Sequence, residues 1–157
     1  MRKSIFAILL MITSACLFTS CDNYQRVLKS DDLKYKKAKA DEYYEKGSYG
    51  KAQPLYEELI SVLKGTESVE ESYYRYAYTH YNQKNYISAS YYFKNFYLNF
   101  PKAEKAEEAL FMTAYSNFKQ SPKYRLDQEP TRKAIDGFQL FVNTFPKSTR
   151  VQECNNT

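Results

Sequence analysis

The sequence predicts an all-α chain of stacked helix pairs, an α-solenoid, and three observations lead there. A block recurs 45 residues apart: Phe93, Phe96, Phe100, Pro101, Lys102, Lys105, Glu108 and Ala109 return as Phe138, Phe141, Phe145, Pro146, Lys147, Arg150, Glu153 and Cys154. Small residues and aromatics fall in register over three successive blocks, and helical apolar spacing hardly stops after residue 30. Self-similarity on this scale marks units that cannot bury their apolar faces alone and stack to do so.

The first residues stand apart from this pattern. Arg2 and Lys3 precede an apolar run from Ile5 to Ile12, and small residues then lead to Cys21. The run is too short to span a bilayer and has the build of a secretory signal, residues 1–20. Small residues before a cysteine are what a lipoprotein signal peptidase needs: little bulk at the scissile bond and a thiol to carry diacylglycerol. Cys21 is therefore the expected lipidation site, although Phe18 stands where a smaller aliphatic residue is usual. An ordinary cleaved signal with an incidental cysteine is the plainer alternative. Residues 21–30 read as a lipidated tether.

Three helix pairs follow in residues 31–157, as repeats at about 31–65, 67–101 and 104–146. Ala40 and Ala52, Ala77 and Ala89, and Ala114 and Ala134 are the small residues that let paired helices approach. Tyr56 and Leu59, Phe93 and Phe96, and Phe138 and Phe141 then fall on one face of each second helix. Lys46-Gly47-Ser48 offers a glycine C-cap and a serine N-cap, Gly65 closes a helix, Ser68 with Glu71 forms a capping-box pattern, and Asn85 can start the next helix. Pro54 removes a hydrogen bond inside its helix, so a start near Gly50 or a local kink is expected. The third pair carries eight extra residues within Gln120 to Pro130, a length more often functional or clamping than filler. A further helix opens at 148–157, and a solenoid ending there would expose an apolar face, so a fragment or a covering partner is expected.

Composition narrows function. The formal charge is +5, two units of it in Arg2 and Lys3, which is too mild and diffuse to argue for nucleic acid. Three cysteines leave Cys154 without a partner once Cys16 goes with the signal and Cys21 takes lipid, so packing alone must hold the fold. Cys154 occupies the repeat slot of Ala109 and reads as a small core residue. No catalytic constellation, metal-ligand spacing or phosphate loop is recognisable. The one histidine, His80, reads as packing or surface. Glu70/Glu71 and Glu107/Glu108 sit near helix starts, where carboxylates favour the dipole.

The spacing of the three blocks resembles the tetratricopeptide repeat, with its period of about 34 residues and terminal proline. The likeness is weaker in the first block, where Lys64 replaces the proline and Lys36 stands at an apolar slot, a departure that fits the polar outer face of an end repeat. The resemblance implies a right-handed superhelix whose first helices line a concave face. It places Tyr44, Tyr74, Tyr78, Tyr81, Phe111, Tyr115 and Phe118 on or near that face as candidate binding residues. Tyr81 and Phe118 fit inter-repeat packing as well as the face; Tyr74, Tyr78 and Tyr115 fit the face better. The 17 tyrosines and 10 phenylalanines suit recognition, a tyrosine combining apolar area with a polar tip.

A lipoprotein signal, the tether Tyr24-Gln25-Arg26-Val27-Leu28-Lys29-Ser30, and the blocks Tyr43-Tyr44-Glu45-Lys46-Gly47, Tyr91-Tyr92-Phe93-Lys94-Asn95-Phe96 and Phe141-Val142-Asn143-Thr144-Phe145-Pro146 together resemble the BamD family. These are lipoproteins of the outer-membrane β-barrel assembly machine, with about five repeats. The resemblance implies no enzyme and no cofactor beyond diacylglycerol and an N-acyl chain on Cys21. It implies a lipid-anchored adaptor on the periplasmic face of the outer membrane, binding BamA, other machine subunits and unfolded barrel substrates. Missing C-terminal repeats would carry much of the BamA contact, and the N-terminal ones would receive the aromatic-rich C-terminal signal of barrels. Asp22 retains lipoproteins in the inner membrane in some lineages. The competing expectation is another envelope repeat scaffold, for example one coordinating peptidoglycan enzymes; a glycan-binding lipoprotein would need a long insertion that is lacking.

Overall fold

The computed structural model describes residues 23–64, 68–121 and 126–156, and every regular element among them is α-helical. Residues 23–28 form α1. It is followed by α2 (Leu33–Glu45), α3 (Tyr49–Val62), α4 (Ser68–Asn82), α5 (Tyr86–Asn99), α6 (Ala106–Gln120), α7 (Glu129–Thr144) and α8 (Val151–Asn156). From α2 onward each helix packs on the next, which makes the pairs α2/α3, α4/α5 and α6/α7 a one-dimensional stack.

The packing follows the register of small and aromatic residues. Ala40, Ala52, Ala77, Ala89, Ala114 and Ala134 are all buried, as are Tyr56, Leu59, Phe93, Phe96, Phe138 and Phe141. Two core clusters result, one of α1 to α3 with Tyr76 of α4 and one of α4 to α7, and Tyr92 packs against both. Gly137 lets α7 approach α6 closely, since a Cβ there would lie 2.8 Å from the Cβ of Ala114.

The duplicated block is duplicated in hydrogen bonding too. Phe100 (φ −129°, ψ 57°) and Phe145 (φ −124°, ψ 63°) cap α5 and α7. Their amides donate to Phe96 and Phe141 at 2.8 Å, and their carbonyls accept from Ala103 and Ser148 at 3.0 Å. Proline follows in each copy, and the clash it imposes on the preceding residue ends the helix there. α6 and α8 open from equivalent turns, and α8 begins at Val151, three residues after the start expected at 148.

The other helix ends are set by local chemistry. Asp32 caps α2, its carboxylate accepting from the amides of Lys34 and Tyr35. Asn85 caps α5 as expected, accepting from Ser88 at 3.3 Å. Ser48 occupies the cap position of α3 but makes no side-chain cap bond, and α3 begins at Tyr49, a residue before the start expected from Pro54. After α2, Gly47 at φ 70° completes a Schellman turn, with Gly47 donating to Tyr44 and Ser48 to Tyr43. α4 ends in the same turn, Lys84 donating to Tyr81 and Asn85 to His80, but Lys84 holds φ 62° without being glycine. Lys84→Gly is therefore expected to raise stability by about 0.5–1 kcal/mol. A urea midpoint equal to or below that of the parent would show the αL strain to be relieved elsewhere.

Two sequence expectations change. The stretch expected as a tether is helical over 23–28 and docked: Val27 is fully buried, Tyr24 meets the Tyr43 ring edge-on at 5.6 Å, and its hydroxyl donates to the Lys51 carbonyl at 3.1 Å. Lys36 is not part of a polar outer face; it is 1% exposed. Its stem fills the apolar slot, and its ammonium is satisfied by the Leu28 carbonyl at 3.2 Å and by Glu58. α1 covers the outer face that was expected to be polar. The signal segment, Cys21, Asp22, the Gly65 stop, the Ser68 side chain and residues 122–125 of the inserted loop lie outside the described residues.

Candidate functional site

The first helices of the three pairs carry the aromatic residues singled out from sequence, and the fold joins them into one strip. On α4, Tyr74 and Tyr78 lie edge to face at 5.0 Å, and Tyr78 and Tyr81 at 6.2 Å. Tyr81 reaches Tyr115 of α6 at 6.4 Å, and Tyr115 stacks on Phe111 at 5.5 Å and meets Phe118 at 5.9 Å. Tyr44 of α2 joins through Arg75 of α4, whose guanidinium lies 5.1 Å from its ring centre and bonds Glu45 at 2.7 Å. Six of the seven rings are half-buried. Their inner edges rest on the core, Tyr74 on Phe96 and Tyr78 on Phe93, while part of each ring stays open to solvent.

Phe111 departs from the expectation. It is 1% exposed, enclosed by Phe138, Phe141 and Tyr115 and roofed by Arg150, so it supports the strip from below. Tyr81 and Phe118, for which packing and the face were alternatives, pack against the core cluster and also meet the rings of the strip.

Charged residues that the sequence did not point to complete the site. Lys105 lies 6.0 Å from the Tyr74 ring centre, Lys119 5.0 Å from Tyr115 and Arg150 4.5 Å from Phe111. Lys105 and Arg150 occupy the same slot of the duplicated block, and each reaches back over a ring of the preceding first helix. That recurrence was the available signal; the partner ring could not be known without the fold. Glu108 ties the arrangement together, accepting from the Tyr78 hydroxyl at 2.7 Å and facing Arg150 at 3.5 Å. Burial alone would raise its carboxyl, but hydrogen bonds from Tyr74 and Tyr78, with Arg150 and Lys105 beside it, hold it below the usual carboxylate range. Burial pushes the Tyr44 phenol up to about 12, and burial with Glu108 drives Tyr74 and Tyr78 well above their ordinary value. All these phenols are neutral donors at physiological pH. Glu107 and Glu108 do sit in the first turn of α6, as Glu70 and Glu71 do in α4, so the dipole reading holds for their placement.

His80 is a packing residue, 5% exposed and stacked on Tyr92 at 4.9 Å. Cys154 is a free, half-buried thiol against the second core cluster. Among the described residues no group of three or more His, Cys, Asp or Glu side chains could hold a metal ion. What the strip can do is bind: flat rings, neutral hydroxyl donors and recurring cations suit an aromatic, anionic peptide segment.

This stack of helix pairs is a tetratricopeptide-like α-solenoid with an aromatic strip along its first helices. The chain belongs to the YfiO family of outer membrane lipoproteins, whose sequence model matches residues 29–156. A candidate outer membrane protein assembly factor BamD of Aquifex aeolicus (strain VF5) is 30% identical over 93 residues, 58% of this chain. The match spans 30% of that relative's length.

Proposed function

We propose that the chain is a lipid-anchored adaptor of the β-barrel assembly machine, tethered through Cys21 to the periplasmic face of the outer membrane. It binds BamA and unfolded barrel substrates and catalyses nothing. Family membership and the relative's name support the setting. The observation that carries the binding role is the continuous strip Tyr44, Tyr74, Tyr78, Tyr81, Tyr115 and Phe118 with cations beside it.

The chemistry of the strip fits the C-terminal signal of a barrel. Aromatic side chains stack on its rings, and a free terminal carboxylate finds Lys105 or Lys119, neither held by a close ion pair among the described residues: Lys105 meets Glu104 only at 3.8 Å. Tyr74→Ala/Tyr78→Ala/Tyr115→Ala in the full chain is expected to weaken binding of a barrel C-terminal peptide by about 10-fold or more. Amidating that peptide is expected to weaken it too. Because Tyr74 and Tyr78 also pack on the core, Tyr115→Ala/Lys119→Gln serves as a milder variant. Unchanged affinity in both variants, with folding verified by circular dichroism, would sink the assignment.

A further inference from the structure

α5 and α7 form a second surface that the aromatic strip does not use. The two helices are held apart by α6, on which both pack, and between them lies an open groove of about 520 Å³. Ile87 (74% exposed) and Tyr91 (61%) of α5 line it from one side, and Leu140 (53%) of α7 from the other. Single exposed apolar residues are ordinary on a protein surface; three large ones converging on one groove are not. The walls carry opposite free charges. Lys94 stands on α5 and Asp136 on α7, and neither makes an ion pair among the described residues, whereas Lys133 is taken by Glu129 at 2.7 Å.

The scaffold selects the form of the occupant. Among the described residues every regular element around the groove is a helix with its own backbone bonds made, so none of them offers a strand edge. An extended segment lying here would find for its amides and carbonyls only groups such as Ser90, Thr113, Asn117 and Gln120, which already bond one another or their own helix. A helix satisfies its backbone internally and presents a one-sided apolar stripe. We propose that the groove receives an amphipathic α-helix of a partner protein. Its apolar stripe sits on Ile87, Tyr91 and Leu140, with an acidic residue along the edge facing Lys94 and a basic residue along the edge facing Asp136. α6 serves both surfaces from different sides, Thr113 and Asn117 lining the groove and Tyr115 and Phe118 the strip, so the two sites can be filled together.

The test uses the full chain purified in detergent and a synthetic helical peptide of roughly five turns, about 18 residues. The peptide has a leucine stripe, glutamates along one edge and lysines along the other; a companion peptide has glutamines along both. The charged peptide binds saturably by fluorescence anisotropy, and more tightly than its companion. Ile87→Ser/Leu140→Ser weakens it about 10-fold or more, and Lys94→Glu, which leaves both walls acidic, removes the preference for the charged peptide. Tyr115→Ala leaves this binding intact, which separates the groove from the aromatic strip. The proposal is overturned if neither peptide binds, if Ile87→Ser/Leu140→Ser changes nothing, or if the preference survives Lys94→Glu. It is also overturned if sedimentation shows the groove occupied by a second copy of the chain, lost in Ile87→Ser/Leu140→Ser. Ile87, Lys94 and Leu140 are exposed, so these variants are expected to melt as the parent does.

Discussion

Phe96→Ala is expected to lower stability by about 3–5 kcal/mol, the range for deleting a fully enclosed aromatic side chain. Phe96 has no solvent exposure, and its ring meets Tyr73 at 6.3 Å, Tyr74 at 5.5 Å and Phe100 at 5.2 Å. It lies in the middle pair, where a void cannot be closed by sliding a terminal helix inward. At roughly 2–4 °C per kcal/mol for a chain of this size, the melting temperature should fall by about 10 °C. The position adds a second signature. Stability in a stack is a sum of units and nearest-neighbour interfaces, so weakening α5 uncouples the pair on either side. Calorimetry should show one transition in the parent and a broadened or split one in the variant. Loss below about 1 kcal/mol, or one sharp transition at a lower temperature, would mean that the two core clusters do not depend on Phe96 for their coupling. Because Tyr74 leans on Phe96, peptide affinity should fall as well, although Phe96 touches no ligand.

The fold was legible because its determinants are periodic. Six alanines and six large apolar partners recur in register, the eight-residue insertion of the third pair apart, and all twelve are buried as that register requires. The Phe-Pro stops were equally readable, since the clash that ends the helix is local to two residues. What the sequence hid depends on contacts between distant positions. α1 looks like a tether because residues 23–28 are too few to show a period, yet Tyr24 reaches Lys51 and Leu28 reaches Lys36. The same contacts turn Lys36 from an apparent surface residue into a buried one. Lys84 in the left-handed region could not be foreseen where glycine is the usual signal.

The candidate site was half legible for a related reason. Helical spacing placed the rings on one side of the first helices, and the structure links them there. Spacing alone could not separate depth: Phe111, in the same register as Tyr74, lies beneath Arg150 rather than beside it in solvent. Nor could it pair Tyr78 with Glu108 or Glu108 with Arg150, which come from α4, α6 and the turn before α8. The polar part of the strip is built by the stack as a whole.

His80→Phe is expected to stabilise the chain, by about 1–2 kcal/mol near neutral pH and by more in mild acid. His80 sits at the junction of the two core clusters, stacked on Tyr92 (interplanar 23°) and edge-on to Tyr76 at 4.8 Å. Neither ring nitrogen has a hydrogen-bond partner among the described residues. Phenylalanine keeps the ring contacts and removes two buried polar atoms. Burial lowers the imidazole's pKa below its ordinary 6.5, and Glu57 only partly opposes this. The unfolded chain therefore binds the proton more readily than the folded one. The contribution of neutral His80 is complete above the unfolded value and is lost as pH falls below it, toward the lower folded value. Urea midpoints for the parent should thus decline from pH 7.5 to pH 5.5, a range over which few carboxylates titrate (about 4 unperturbed). The variant should begin higher and decline less. A variant less stable than the parent at both pH values would mean that the imidazole nitrogens are satisfied at the junction. An equal decline in both proteins would place the acid sensitivity elsewhere than His80, and outside Glu108 too, since its depressed carboxyl gives up its stabilisation only at lower pH.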